Sequence, residues 1–433
     1  MTPSDFNFDP DKFPSFRPDQ LSTAQGIASD RQPTCVLRAP PGRGKTLIYM
    51  TAAQLLRSCL PHARTLILTH TRQLQNRLVS DFASVGLVDV RGASNYSCSF
   101  LDGKSCADAS LECAHYSGCN VYRKAIQSAR DSRLAVTNYA FHIYRSLTDT
   151  AHLGKFDLII CDEAHLALDW LTDVLSFRIA NSTFRRLINL SIPSATDVPS
   201  LRAWASAARQ LLLVAHAEAR AESDIGLLQE ITRLGQSLRR FLRTSVDWVV
   251  EQWTKGPPHD HSLYLRPIWP GHFSYLLFGD AAKVILCSAT ISDADPIRLG
   301  RRHFSTFALP SNFPAHRRPV LYVDKEPHIR VDRKTTNAHM RILCDRIASF
   351  AESTAHKGII QSPSYALTQR IKTSMRDKSR LLIATKDDNQ LDKFSSVGIG
   401  VKCEPSTTSK ISGSLEKSST CTGKPSVCGF SKR

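Results

Sequence analysis

From Thr34 the chain alternates short apolar runs, each flanked by turn residues, with longer helix-like stretches. The runs are Cys35-Val36-Leu37, Thr65-Leu66-Ile67-Leu68, Leu134-Ala135-Val136, Leu158-Ile159-Ile160 and Val284-Ile285-Leu286. Runs this short and this rich in Val, Ile and Leu read as buried strands, and their alternation with helices predicts an α/β unit built on a parallel sheet. A helix is expected around Gln20–Ile27 and another over Leu47–Arg57. Two segments interrupt the rhythm. Residues 92–125 hold four cysteines with little periodicity, and residues 170–260 predict helices, notably Leu201–Arg220 and Ile225–Arg243, ending at Gly256-Pro257-Pro258. After Pro310 a second unit is expected, with strands at Val320–Val323, Gly358–Gln361 and Leu381–Ala384 and a helix at Asn337–Ser353. Residues 405–433 contain 12 Ser/Thr among 29 positions and no strand or helix period. Such a segment cannot bury enough apolar surface to offset chain entropy, so a disordered tail is expected.

Composition narrows the class. The 433 residues carry 56 Lys+Arg against 39 Asp+Glu, a net charge of +17, with 42% apolar and 22% charged residues. This is a globular composition, sufficient for two or three domains, and the positive balance points to a polyanionic partner, nucleic acid before membrane. No apolar run is long enough to span a bilayer. The acidic, Phe/Pro-rich start does not read as a secretory signal. An intracellular location is therefore expected, cytoplasmic or nucleoid-associated, or nuclear in a eukaryote. In that setting the cysteines are read first as metal ligands, not as a disulfide framework.

The segment Ala39-Pro40-Pro41-Gly42-Arg43-Gly44-Lys45-Thr46 follows one expected strand and opens a helix. It fits the phosphate-loop pattern with Ala in place of the first Gly. Gly42 and Gly44, with Arg43 between them, let backbone N–H groups and the helix N-terminus face a polyphosphate. Lys45 supplies a charge to the β/γ-phosphates and the Thr46 hydroxyl completes a Mg²⁺ shell. Asp162-Glu163-Ala164-His165 closes another strand, at the sheet edge where doubly wound folds bind ligands. Asp162 would hold Mg²⁺, and Glu163 would orient and deprotonate an attacking water. Ser288-Ala289-Thr290 ends a third strand in the same way, placed to hydrogen-bond the acidic motif and report the state of the nucleotide.

Cys98, Cys106, Cys113 and Cys119 lie in a polar loop, separated by seven, six and five residues. Four thiolates can enclose a 4Fe–4S cluster, or hold tetrahedral Zn²⁺, whose structural sites more often use tighter cysteine pairs. Four unrelated thiols are the third reading, less suited to a loop rich in Ser, Gly and Asp.

Phosphate loop, Asp-Glu-Ala-His and Ser-Ala-Thr in this order resemble a superfamily 2 DEAH-box helicase. The intervening cysteines narrow the resemblance to the XPD/DinG family of iron–sulfur DNA helicases, over about residues 14–395. Phe16-Arg17-Pro18-Asp19-Gln20 is similar to the family's adenine-reading segment, Thr69-His70-Thr71-Arg72-Gln73-Leu74 to motif Ia, and Val136-Thr137-Asn138-Tyr139 to its TNY segment. Leu265-Arg266-Pro267-Ile268-Trp269, Phe313-Pro314 and Arg318-Pro319 also fit. The resemblance implies a first RecA-like lobe (1–91, 126–169 and 261–305), an iron–sulfur domain (92–125), a helical arch-like insertion (170–260), a partial second RecA-like lobe (306–395) and a disordered tail (396–433). It implies Gln20 as an adenine contact, Lys45, Asp162, Glu163 and His165 as catalytic residues, Ser288 and Thr290 as coupling residues, and ATP, Mg²⁺ and a 4Fe–4S cluster as cofactors. The implied activity is ATP-driven 5′-to-3′ movement on single-stranded or forked DNA, with no membrane partner.

Within the insertion, Arg185, Arg186, Arg202, Arg209, Arg220, Arg233, Arg239, Arg240 and Arg243 accompany Trp204, Trp248 and Trp253. As a group they suit a single-strand groove, although individually each is better explained as a solvated or core side chain. Gly358–Tyr365 resembles motif IV, and Leu391-Asp392-Lys393-Phe394 still fits the pattern. The glycine–aspartate and Q-x-x-G-R-x-x-R motifs expected next do not follow, as in a truncated or frame-shifted reading. Impaired hydrolysis is then expected, since arginine fingers contribute about 10³–10⁵ in turnover. The alternative is a non-catalytic, nucleotide-gated DNA-binding remnant.

Overall fold

The computed structural model describes residues 1–108, 120–147, 153–194, 196–222, 224–244, 246–253, 261–313, 336–353, 358–362, 365–376, 381–384 and 399–403. It divides into two compact units, Met1–Ser311 and Asn312–Arg433.

The first unit is organised by a seven-stranded parallel sheet of strands β1 (Thr34–Arg38), β2 (Thr65–Thr69), β3 (Val88–Asp89), β4 (Leu134–Asn138), β5 (Leu158–Asp162), β9 (Lys283–Ser288) and β10 (Ser305–Ala308), in the order β10-β1-β9-β5-β2-β4-β3. Every one of the five apolar runs read from the sequence is a strand of this sheet. Successive side chains fall on opposite faces: Val36, Leu66, Leu68, Ile159, Leu286 enter one core, while Leu37, Ile67, Ile160, Ile285 enter the other. Burial on both faces is why these strands read as continuous apolar runs, with no polar alternation.

The strand order brings three C-terminal ends side by side. β9 lies between β1 and β5, in register Arg38↔Ser288 and Asp162↔Cys287. The loop after β1, the acidic motif after β5 and the Ser-Ala-Thr segment after β9 therefore share one edge.

The region 170–260 differs from the all-helical expectation. It contains helices Asn181–Ile188, Val198–Ala221 and Ile225–Arg243, but also strands β6 (Phe177–Ala180) and β7 (Trp248–Trp253), which flank β8 (Ser262–Pro267) in an antiparallel three-stranded sheet. One face of this sheet packs on the helices through Phe177, Phe241 and Trp248, whose rings meet edge to face. The strands escaped the sequence reading because their alternation is short: Phe177 and Ile179 are covered, Arg178 exposed.

Two boundaries also move. Ser305–Ala308 pairs with β1 and belongs to the first sheet, so this unit extends to Ser311 and not to 305. The helix Val121–Asp131 crosses the expected boundary at 125/126.

In the second unit, β11 (Gly358–Ser362), β12 (Leu381–Ala384) and β13 (Ile399–Cys403) form a parallel sheet in the order β11-β13-β12. Helices Asn337–Glu352 and Tyr365–Ser374 accompany it, around a core that includes Cys344, Ala348, Ile360 and Ile371. β13 corrects the expectation of a structureless tail from 396: Ile399 and Val401 form a short apolar period that Gly400 and Lys402 disguise. The expected strand at 320–323, the segments at 314 and 318–319, the run 391–394, and residues 404–433 lie outside the described residues.

Candidate nucleotide site

The phosphate loop is shaped by two glycines in the left-handed region, Gly42 at φ 84° and Gly44 at φ 71°. Gly44 is the residue before helix Lys45–Cys59, and a β-carbon there would lie 2.3 Å from Gln20 Nε2. A side chain at 44 would therefore strain the backbone and displace the Gln20 amide.

Gln20 explains that contact. Its buried amide accepts the Arg17 N–H at 2.8 Å through Oε1 and donates to the Arg43 carbonyl at 2.7 Å through Nε2. The Arg17 guanidinium donates to the Gly42 carbonyl. Arg43 folds back beneath this segment, donating to Asp19 at 2.9 Å and to the Pro18 carbonyl at 3.2 Å. Gln20 and Arg43, both expected at the nucleotide, thus brace the loop from behind.

Lys45 projects the other way. Its ammonium donates to Glu163 Oε1 at 2.9 Å. Burial opposes the ammonium's charge, but the Cys287 sulfur, Glu163 and Asp162 around it outweigh that effect and raise its pKa. Asp162 is 6% exposed. Burial lifts its pKa to about 6 against the pull of Lys45, with the neighbouring Glu163 carboxylate adding to the rise. Its carboxylate accepts the Glu163 N–H at 3.1 Å. Its carbonyl accepts the Tyr139 hydroxyl at 2.9 Å.

Glu163 itself sits at φ 50°, a conformation non-glycine residues rarely hold and one that concentrates at functional sites. Its second oxygen accepts the Ser288 hydroxyl at 3.2 Å. His165 Nδ1 lies 2.7 Å from Ser288 Oγ and 3.5 Å from Glu163 Oε2. Ser288 is therefore the hub linking the third strand end to the acidic motif. Thr290 joins this hub, its hydroxyl 3.5 Å from Ser288 Oγ and its N–H donating to the same oxygen at 3.2 Å.

Lys45, Thr46, Asp162, Glu163, His165, Ser288 and Thr290 thus gather at one sheet edge. Two neighbours were missed by sequence reasoning. The fully buried Tyr49 hydroxyl lies by Thr46 and Asp162 without a well-formed hydrogen bond. Its signal is spacing, three residues beyond Thr46 on one helical face. Trp170 Nε1 donates to His70 Nδ1 at 2.9 Å, tying the helix after the acidic motif to the loop after β2.

Of the four loop cysteines, Cys98 and Cys106 are described and Cys113 and Cys119 lie outside the described residues, as does His115. Ser97 and Ser105 form an antiparallel bridge, and the Cys98 and Cys106 N–H groups donate to the Lys104 and Tyr96 carbonyls at 2.9 and 2.7 Å. Cys98 and Cys106 are thereby diagonal neighbours on one face of a short ribbon. No group of three or more metal-ligating side chains occurs among the described residues.

In the insertion, several basic and aromatic residues are structural. Arg202 donates to the Phe241, Leu242 and Thr244 carbonyls at 2.8, 3.1 and 2.5 Å. Trp204 donates to the Ser191 carbonyl at 2.9 Å. Arg186 pairs with Glu230 at 2.7 Å. No described helix is long and apolar enough to cross a membrane.

Residues 14–192 match the family model described as the res subunit of Type III restriction enzymes. No curated protein matches the chain. Similar solved structures include an XPD helicase (14% identity, 89% of this chain and 79% of that one, TM-score 0.48). Another is Xpd4 of S. tokodaii (15% identity, 89% and 80%, TM-score 0.48). A third is the DUF1998 helicase MrfA, bound to DNA and AMPPNP (13% identity, 89% and 41%, TM-score 0.38). Residues 14–192, which hold the phosphate loop and the acidic strand end, are thus the part of the chain that is similar to the restriction-enzyme res subunit.

Proposed function

We propose that this chain is an ATP-dependent DNA helicase motor of the XPD/DinG kind. The observation that carries the reading is the 2.9 Å ion pair of Lys45 with Glu163 beside buried Asp162, which supports one volume faced by both the phosphate loop and the acidic motif. In that volume the loop's N–H groups and the helix N-terminus receive phosphates. Thr46 and Asp162 would hold Mg²⁺, which supplies charge neutralisation on the phosphates. Lys45 leaves Glu163 for the β/γ-phosphates, so nucleotide entry itself frees the Glu163 carboxylate to orient and deprotonate water. Ser288 and His165 keep the other Glu163 oxygen in place during this exchange.

Cys98, Cys106, Cys113 and Cys119 would hold the 4Fe–4S cluster. The ribbon placing Cys98 and Cys106 on one face supports that donor set. When bound, the cluster supplies a rigid cross-link among four loop positions. Single-stranded or forked DNA is the proposed track, with movement 5′ to 3′.

Phosphate release with and without single-stranded DNA tests the proposal. Slow, DNA-stimulated turnover is expected, as the absent arginine-rich motif implies, reduced further by at least about 10² in Lys45→Ala, the scale of losing one aligned charge at the reacting phosphate. Binding of ATP and DNA with no turnover would replace the motor by a nucleotide-gated DNA-binding protein. Equal molar iron and acid-labile sulfide in anaerobically prepared protein, lost together in Cys106→Ser, tests the cluster; zinc in their place overturns it.

A further inference from the structure

Three side chains where β4 passes into the helix Tyr139–Leu147 make three different bonds. The Thr137 hydroxyl donates to the Val90 carbonyl at 2.7 Å, and Asn138 Oδ1 accepts the Phe141 N–H at 2.9 Å. The first ties β4 to the segment after β3, and the second steadies the start of the helix. Tyr139 reaches further. In the sheet β2 separates β4 from β5, yet the Tyr139 hydroxyl donates to the carbonyl of Asp162, the last residue of β5, at 2.9 Å. Its whole side chain is buried, in the same core as Cys161 and Ala164 on either side of the acidic pair.

A buried phenol needs an acceptor, and any carbonyl in reach would serve; that is the plain reading. It accounts for a bond but not for the carbonyl taken. That carbonyl belongs to the peptide leading into Glu163, which holds φ 50° and ψ 48°. A non-glycine residue keeps this conformation only where its surroundings over-determine it. Two further bonds act on the backbone of the turn. The Leu166 N–H donates to the Glu163 carbonyl at 2.9 Å, and the Glu163 N–H donates to the Asp162 carboxylate at 3.1 Å. The former is internal to the turn, and the latter draws on the carboxylate proposed for Mg²⁺. The Tyr139 hydroxyl comes from another element, and the core around its ring holds it in place.

Resting on the ATPase reading above, we infer that Tyr139 is a positioning residue for hydrolysis. Its hydroxyl fixes the Asp162–Glu163 peptide, so the Glu163 carboxylate stays aimed at the attacking water once Lys45 has left it for the phosphates. Ser288 and His165 steady the carboxylate itself; Tyr139 steadies the backbone from which that carboxylate projects.

The test is single-turnover hydrolysis of radiolabelled ATP by the full chain, with affinity for a fluorescent ATP analogue measured in parallel. Tyr139→Phe is expected to slow hydrolysis roughly 10- to 100-fold, the cost of a reacting group displaced by about 1 Å, with nucleotide affinity at the wild-type level. Tyr139→4-aminophenylalanine returns an N–H donor to the same point and is expected to restore the rate. Should Tyr139→Phe fail to fold, as loss of nucleotide binding would show, Tyr139→4-methylphenylalanine decides in its place, since its methyl fills the space of the hydroxyl without donating. A wild-type rate in the variant that lacks the donor overturns the proposal. So does a rate that falls together with affinity, the mark of a purely structural tyrosine, or a rate that 4-aminophenylalanine does not restore. Each of these leaves the ATPase reading intact. A wild-type chain that binds ATP and releases no phosphate overturns the ATPase reading and the role of Tyr139 with it.

Discussion

Asp162 is held against its own charge. Burial raises its pKa from 3.8 to about 6, although Lys45 pulls the other way. The native state therefore binds this proton more tightly than the unfolded chain. The associated stability is fully present below about pH 4 and is lost as pH rises through about 6, a cost of about 3 kcal/mol for two pK units. Asp162→Asn, which cannot ionise, is expected to be more stable than the wild type by up to about 3 kcal/mol at pH 7.5, the gain shrinking towards pH 4. Denaturant unfolding at the two pH values measures it, and a pH-independent difference refutes it. The same variant is expected to lose Mg²⁺-dependent nucleotide binding, since the destabilising carboxylate is the proposed metal ligand. Ser288 poses a complementary case. Ser288→Ala removes the hydroxyl shared by Glu163 and His165, so hydrolysis is expected to fall about 10- to 100-fold with nucleotide affinity unchanged, the scale of a hydrogen bond to a charged group. Equilibrium binding alongside single-turnover hydrolysis separates the two quantities.

At the level of elements, Arg202 shows how a residue that sequence suggests for DNA can serve the fold. Three carbonyls at the end of helix Ile225–Arg243 converge on its guanidinium, where a cation also complements the helix dipole. Arg202→Met is expected to lower the stability of this helix pair by about 2 kcal/mol. Faster amide exchange confined to residues 198–244 would register it, while unchanged exchange would show the carbonyls to be satisfied by water. The sequence discloses elements where burial is two-sided and hides them where it is one-sided and brief. β1, β2, β4, β5 and β9 were legible because both faces are packed, whereas β6 and β10 cover only alternate positions over four residues. The site divides similarly. Lys45, Asp162 and Ser288 were legible from their places after strands. The backward turn of Arg43 and the embedding of Gln20 in the loop were not, because each depends on contacts between segments more than 20 residues apart.

The whole chain is two bodies, and the position of the division is itself testable. The candidate nucleotide-site residues Lys45 to Thr290 all lie in Met1–Ser311, which contains two large cores. A fragment ending at Ser311 is therefore expected to fold and to bind nucleotide as the full chain does. A fragment ending at Arg302 would instead strip β10 from the sheet. That strand pairs with β1 from Cys35↔Ser305 to Arg38↔Ala308, and Leu309 donates its N–H to the Arg38 carbonyl at 2.9 Å. Its loss exposes the strand that leads into the phosphate loop as an open edge, an invitation to aggregation. The shorter fragment is thus expected to precipitate or to lose nucleotide affinity at least about tenfold, because the loop's entry strand is no longer held on both sides. Thermal unfolding and fluorescent-nucleotide binding on the two fragments give the comparison. Equal behaviour would mean that β9 alone fixes β1, and that the sheet's functional edge begins one strand further in.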